Sequence, residues 1–270
     1  MNKRVFGFIL GVCMIVCLVA CGHDTAQKKT LIEGANKSIS QAKSVEADVT
    51  LECELSVESS KQSKKIPVKL TSQIQIGNNI AKFDGKLAVM EKEETFQLYA
   101  KFNKNEVKLY YKQGATGKWK ISTEKLDENM DLSIHDINLV SFCDQLEVES
   151  KIVKRNDEDC YHLSGEMNLS SNSSFMKDFK QGFEAASNGI KLSDLEVEGG
   201  APNLDLYVTK EGKKLQSVVF TMGDIDFSKV IKYFTAMNVK AGIQGLKVQL
   251  NIKGLNSVDQ LDIPNVAFEQ

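Results

Sequence analysis

Residues 45–59 read "VEADVTLECELSVES" and form the longest alternating segment of the chain. Apolar side chains occupy every second position from Val45 to Val57, and the residues between them are polar, most of them acidic. Successive side chains of a β-strand point to opposite faces, so this pattern predicts a long antiparallel strand with one buried and one solvated face. We interpret the acidic face as a solvated surface.

The residues that follow repeat the pattern. "KKIPVKLTSQIQIG" at 64–77 alternates in the same way after a polar connection, which predicts a long hairpin. Further strands are predicted at 80–90, 95–103, 106–112, 118–122, 145–154, 160–169, 203–209, 214–223 and 246–253. Short turns separate the early strands, which indicates a meander in which sequence neighbours pair.

Helical spacing of apolar residues appears in three longer segments. The segments are 28–43, 173–188, and one that starts at Asp226 or Ser228 and ends near 237. A shorter helix is expected within 124–143. The apolar face of a sheet must be covered, so we predict an α+β domain over 28–270, with ten to eleven antiparallel strands and helices packed on one face. We find no second linker that would divide this domain.

The N-terminus has the layout of a secretory signal peptide over residues 1–20. Lys3 and Arg4 precede an apolar run from Val5 to Ala20. This run is shorter than the roughly 20 residues that a spanning helix needs. The alternative is an uncleaved N-terminal anchor.

The end of that run, "LVAC" at 18–21, resembles the lipobox of bacterial lipoproteins. The resemblance implies that Cys21 carries diacylglycerol and acyl chains such as palmitate, and that Cys21 is the first residue of the mature chain. Two or more acyl chains give stable membrane attachment. The expected location is therefore the extracytoplasmic face of the bacterial cell membrane, with residues 21–27 as a polar tether.

Lipobox, tether, one helix and long meandering strands together resemble the lipoprotein fold of the LolA/LppX/LprG type. "KLYYKQGATGKWKIS" at 108–122 is similar to a segment of uncharacterised Gram-positive lipoproteins, in which a strand ends in Tyr, turns through Gly and returns with Trp-Lys. The resemblance implies a curved half-barrel sheet, helices on its concave face, and acyl chains held between the two. The aromatic and aliphatic stripes of the two later helices are then candidate ligand-lining residues, although such stripes also suit a plain core: Phe175, Phe179, Phe183, Phe227, Ile231 and Phe234.

Three cysteines remain after Cys21 in the mature chain: Cys53, Cys143 and Cys160. Cys143 and Cys160 lie near the ends of a predicted hairpin and are candidates for a disulfide in an oxidising compartment. Three buried thiols are the alternative. No C-x-x-C pair exists and no histidine has metal-ligand spacing, so we expect no metal site.

Composition and motifs narrow the function. The formal net charge of −2 and the lack of a basic cluster interleaved with aromatic residues argue against nucleic-acid binding. No catalytic motif is present, and "GATGK" at 114–118 is better interpreted as a hairpin turn than as a phosphate loop. We expect a non-enzymatic protein, without a cofactor, that binds a hydrophobic or lipid-like ligand. The alternative is a solidly packed surface module that docks a protein partner in the cell envelope.

Overall fold

The computed structural model describes residues 26–59, 62–77, 79–103, 106–125, 145–167, 196–198, 201–226 and 239–265. In this part of the chain one helix, α1 (Ala26–Ser40), accompanies fourteen strands. The strands are β1 (Ser44–Ser59), β2 (Ser63–Gly77), β3 (Ile80–Val89), β4 (Lys92–Asn103), β5 (Glu106–Gln113), β6 (Lys120–Lys125), β7 (Glu147–Val148), β8 (Val153–Arg155), β9 (Glu158–Glu166), β10 (Glu196–Glu198), β11 (Asn203–Thr209), β12 (Leu215–Met222), β13 (Asp224–Asp226) and β14 (Val239–Leu255).

The fourteen strands form one antiparallel sheet. Its main path runs β6-β5-β4-β3-β2-β1-β14-β12-β11-β9-β7, with β8 beside β9, and with β13 between β10 and β14. Strands β1 to β6 pair in sequence order, as the meander prediction requires. Among the described strands the path ends at β6 and β7 and does not close. The predicted α+β half-barrel class is confirmed. The predicted number of ten to eleven strands is too low, because the strand predicted at 145–154 is two strands and the three-residue strands β10 and β13 are too short to show alternation.

Strand β1 lies at the centre of this sheet because both of its edges are paired. It pairs with β2 over nearly its whole length and with β14 on the other side. Its alternation therefore separates a row of small and aliphatic side chains, buried from Val45 to Leu51, from a polar row. Val49 and Leu51, for example, are both 2 % exposed, whereas their polar neighbours Asp48 and Thr50 are half-buried.

Helix α1 covers one part of the sheet. It lies against β11 and β12, and its buried stripe includes Leu31, Ile32 and Ile39. Leu215 N of β12 donates a hydrogen bond to Ser38 Oγ at 3.2 Å. Near the other end of the helix, the buried Lys28 Nζ donates to Leu146 O at 2.6 Å. The amphipathic stripe predicted from sequence is therefore the face that packs.

Some predicted boundaries differ from the structure. The helix predicted at 28–43 spans Ala26–Ser40, because the chain turns through Ala42, whose N–H donates to Ile39 O at 3.0 Å, and enters β1 at Ser44. The single strand predicted at 145–154 is two short strands, β7 and β8. Strand β14 begins at Val239 and not at the predicted 246. Its first part was not recognised in the sequence because Gly242 and Gly245 interrupt the alternation that marks the rest of the strand.

Candidate functional site

Strands β1 to β5 present two chemically different surfaces. We call the surface that carries Val49, Leu70 and Leu98 the core face, and the opposite one the outer face. The pairing register aligns equivalent positions across the strands, so that Val49, Ser72, Gly85 and Phe96 form one row on the core face. Each face is therefore a continuous surface built from five strands.

The middle of the core face is fully buried. On β2 to β5 the side chains of Leu70, Ile74, Phe83, Leu98 and Leu109 are no more than 5 % exposed. They belong to the same hydrophobic cluster as the stripe of α1. Burial of this kind supplies most of the favourable free energy of folding, at roughly 25 cal/mol per Å² of apolar surface.

The apolar character of the core face continues beyond the buried part. At one end of β1, β2 and β3, its side chains become half-buried and then exposed, with Val57 at 39 % exposure. We call this set the apolar rim, and it consists of Cys53, Leu55, Val57, Ile66, Val68, Leu87 and Val89. Met90 follows in the turn after β3 and is 48 % exposed. The register places Val68 between Cys53 and Val89, and Ile66 beside Leu55, so the rim is contiguous.

The rim is joined to the core without a polar break. Cys53, Leu55 and Leu87 pack directly against the buried cluster. Burial raises the pKa of the Cys53 thiol, so this side chain stays neutral near pH 7 and behaves as a small apolar group. The core face is therefore apolar from the exposed Val57 to the buried interior.

The outer face carries an open groove of about 750 Å³ that crosses β1 to β5, bordered by polar side chains whose exposed atoms are mostly carbon. Its floor is the backbone of the row that contains Val49 and Gly85, whose side-chain positions face the core. Two rows of side chains form its walls. The amide row consists of Asp48, Gln73, Asp84, Gln97 and Lys112. The threonine row consists of Thr50, Thr71, Lys86 and Thr95.

The charges of the groove are balanced by neighbours. Asp84 accepts from Lys82 Nζ at 2.6 Å and from Gln97 Nε2 at 2.9 Å. Asp48 forms an ion pair with Lys253 at 2.7 Å. Burial lowers the pKa of Lys82, but the hydrogen bond and the charge of Asp84 outweigh it and leave that pKa raised. The lysine therefore stays charged and holds the carboxylate in place.

Aromatic side chains stand at the β5–β6 end of the groove. Lys112 Nζ, the last member of the amide row, lies 5.8 Å from the centre of the Trp119 ring. The Trp119 ring lies 5.7 Å from that of Tyr99 at an angle of 55°. Tyr110 pairs in register with Tyr99. The segment "KLYYKQGATGKWKIS" is thus the β5–β6 hairpin, with Gly114 at a φ of 73° in its turn, as the sequence predicted.

Most of the predicted site residues lie outside the part of the chain that the structure describes. Cys21, Cys143 and the six candidate ligand-lining residues, Phe175, Phe179, Phe183, Phe227, Ile231 and Phe234, lie outside the described residues, as do the later predicted helices. Cys53 and Cys160 are free thiols in the structure. Since Cys143 is not among the described residues, a bond between it and Cys160 stays a prediction.

Sequence reasoning missed both surfaces described above. In the sequence, the apolar rim corresponds only to one end of the alternating pattern in β1 and β2, and this pattern does not show that the side chains are exposed. His162 of β9 contacts Asp205 Oδ1 at 2.7 Å and stacks on Tyr207 with ring centres 4.6 Å apart. No nucleophile completes a catalytic arrangement with this pair among the contacts of the described residues.

Among the described residues, no group of three or more His, Cys, Asp or Glu side chains could hold a metal ion. Likewise, no helix in the described part of the chain is both long and apolar enough to cross a membrane.

No protein-family model and no curated protein matches the chain. Solved structures do match. LprF from Mycobacterium bovis is similar over 90 % of this chain and 99 % of its own, with 12 % identity and a TM-score of 0.44. A LolA-superfamily protein from Nitrosomonas europaea covers 86 % and 96 %, with 11 % identity and a TM-score of 0.21. An outer membrane lipoprotein-sorting protein domain from Vibrio parahaemolyticus covers 88 % and 95 %, with 11 % identity and a TM-score of 0.24.

The names of these structures agree with the LolA/LppX/LprG resemblance that the sequence indicated. Sequence identities and TM-scores this low give no information about the ligand or activity of this chain.

Proposed function

We propose that this protein is a membrane-anchored, non-enzymatic binding protein that holds a hydrophobic or lipid-like ligand against the core face of its sheet. The observation that carries the proposal is the apolar rim, where the core face reaches solvent without a polar break. Monomeric proteins seldom expose contiguous apolar surface without a use for it. Binding would gain its free energy from apolar burial and would need no covalent step.

The proposed attachment rests on the sequence. Cys21 follows a signal-like apolar run and would carry the acyl chains that fix the protein to the extracytoplasmic face of the cell membrane. A serine at position 21 lacks the sulfur atom to which the diacylglycerol would be linked. Cys21→Ser should therefore move the protein from the membrane fraction to the medium, and continued acylation of that variant would contradict the lipobox interpretation.

The binding proposal is tested with neighbouring residues of β3 that point to opposite faces. Val89 belongs to the apolar rim, and Ala88 lies on the outer face; both are half-buried. A carboxylate at position 89 would have to lose its hydration when an acyl chain binds, whereas one at position 88 stays in solvent. Titration of each variant with a pyrene-labelled fatty acid measures the difference.

We expect Val89→Asp to weaken binding by at least about tenfold, or 1.4 kcal/mol, and Ala88→Asp to bind as the wild type does. Val57→Asp is a second rim variant that controls for misfolding of Val89→Asp, because the Val57 side chain is already 39 % exposed. Equal binding by all three variants, or no binding by the wild type, would sink the proposal and favour the alternative, a solidly packed module for an envelope protein partner.

A further inference from the structure

The outer face changes its charge from one side of the sheet to the other. Both outer-face lysines of β2 are paired with glutamates of β1, at 2.8 Å or less. On β4 from Thr95 onward and on β5, the charged side chains of the outer face are three lysines and one carboxylate: Lys101, Lys108, Lys112 and Glu106. This part of the outer face is therefore basic.

Two of these lysines lie directly opposite each other. The register pairs Lys101 of β4 with Lys108 of β5. Like charges at opposite positions of neighbouring strands destabilise a sheet. Glu106 Oε1 lies 3.5 Å from Lys108 Nζ, but no acidic side chain within the described ranges forms an ion pair with Lys101. The fold therefore keeps an excess of positive charge at this place, and an anionic partner would relieve the repulsion.

Aromatic side chains lie beside the lysines. Tyr99 and Tyr110 occupy the next pair of outer-face positions, and Ile121 of β6 continues their row. Trp119 packs on Tyr99, and Lys112 Nζ lies near the face of the Trp119 ring. These aromatic rings are half-buried, so each is partly open to solvent. We call this set the basic aromatic surface, and it consists of Tyr99, Lys101, Lys108, Tyr110, Lys112 and Trp119.

The arrangement of these side chains distinguishes between anionic partners. A single small anion needs cations that converge on it, but Lys101 and Lys112 lie on opposite sides of the tyrosine row. A lipid surface offers many phosphate groups in one plane with apolar carbon beneath them, which suits lysines that flank aromatic rings. Tyrosine and tryptophan are also the residues enriched where a bilayer meets water, because each has an apolar ring and a polar group.

We propose that the basic aromatic surface docks on an anionic phospholipid membrane, with its rings at the level of the headgroups and its lysines on the phosphates. The proposal rests on the proposed attachment through Cys21, which would hold the chain beside a membrane without fixing its orientation. Docking turns the outer face of β4 to β6 towards the lipid. The lysines and rings come together through strand pairing, so the sequence alone did not show them as one cluster.

The chain has a single tryptophan, Trp119, so its fluorescence reports on this surface alone. The test titrates the full mature chain, produced without acyl chains, with two kinds of vesicle. One kind contains phosphatidylglycerol and phosphatidylcholine in equal parts, and the other contains phosphatidylcholine only. The test variant is Lys101→Gln/Lys108→Gln. The matched control, Lys65→Gln/Lys69→Gln, removes the same charge from paired lysines of the same face.

We expect the mixed vesicles to bind the wild type and to move the emission of Trp119 to shorter wavelength, and phosphatidylcholine alone to bind at least about tenfold more weakly. Lys101→Gln/Lys108→Gln should lose at least about tenfold in affinity for the mixed vesicles, and the control should lose about twofold or less. The test variant removes a like-charge pair, so urea unfolding should show it to be at least as stable as the wild type.

Unchanged emission of Trp119 with the mixed vesicles overturns the proposal, and so does an equal loss of affinity by the two double variants. Dextran sulfate, a soluble anionic polymer, overturns it as well if it binds as tightly as the vesicles, because charge alone would then be recognised. The anchor is tested separately by the location of Cys21→Ser in cells, so its failure is distinguishable from failure of the docking surface.

Discussion

The two faces of β1 to β5 are built from alternate residues of the same strands, yet they differ in what they expose. The core face is buried in its middle and ends in an apolar rim that reaches solvent. The outer face is solvated and its charges are paired across strands, as between Glu52 and Lys69 at 2.6 Å. One alternating pattern can therefore encode a hydrophobic interior and a solvated outer surface at once, separated by the thickness of a single sheet.

The largest expected difference between the faces is in stability. Leu98 is 2 % exposed on the core face, and Gln97 beside it lines the groove. Leu98→Ala should lower the free energy of unfolding by about 2–5 kcal/mol, because it removes buried methyl groups and leaves a cavity. Gln97→Ala should cost about 1 kcal/mol or less, the worth of one partly exposed hydrogen bond. Urea unfolding measures both, and equal costs would contradict the assignment of the faces.

Gly85 tests the boundary between the two faces. A Cβ added there would clash with the Phe96 ring and would lie 2.7 Å from Thr71 O. Gly85→Ala should therefore lower the free energy of unfolding by about 1–3 kcal/mol through overpacking.

Phe96→Leu provides the control for this clash. It shortens the side chain that occupies the space over Gly85, so the double variant should lose less stability than the sum of the two single variants. Additive losses, or an unchanged stability of Gly85→Ala, would show that the two positions do not contact.

The smallest effect is expected for an ion pair on the outer face. The hydrogen bond from Lys69 lowers the pKa of Glu52, burial opposes this, and the charges of Lys69 and Lys247 add to the lowering. A lowered pKa in the folded state stabilises the protein above the unfolded pKa, and this contribution is lost as the pH falls through the folded value. Since both side chains are about half exposed, the pair should contribute only about 0.2–1 kcal/mol.

Glu52→Gln isolates that contribution. The variant should be slightly less stable than the wild type at pH 7, and the two should converge below the lowered pKa of Glu52. Urea unfolding at both pH values checks this, and a difference that persists in acid would assign the effect to packing.

The long strands were predictable because alternation is a local signal. In 45–59 it marks both the buried and the solvated row, and the structure follows it from Val45 to Val57. The pairing of β1 with β14 was not predictable, since its residues are far apart in sequence and Gly242 and Gly245 break the pattern of the partner strand.

The groove could not be predicted for a related reason. Its amide row exists only because the register places Asp48 beside Gln73 and Gln73 beside Asp84. That register depends on how each turn closes, and a shift of one residue would exchange the faces. The apolar rim raises a different difficulty, because alternation shows which side chains share a face but not where along a strand burial ends.

Native mass spectrometry of the protein, extracted gently from its own membrane, shows directly whether the core face holds an apolar ligand. The wild type and Ala88→Asp should carry an additional non-covalent mass that corresponds to a lipid, and Val89→Asp should carry much less of it. A wild type without such a mass, or equal retention by Val89→Asp and Ala88→Asp, would contradict the claim.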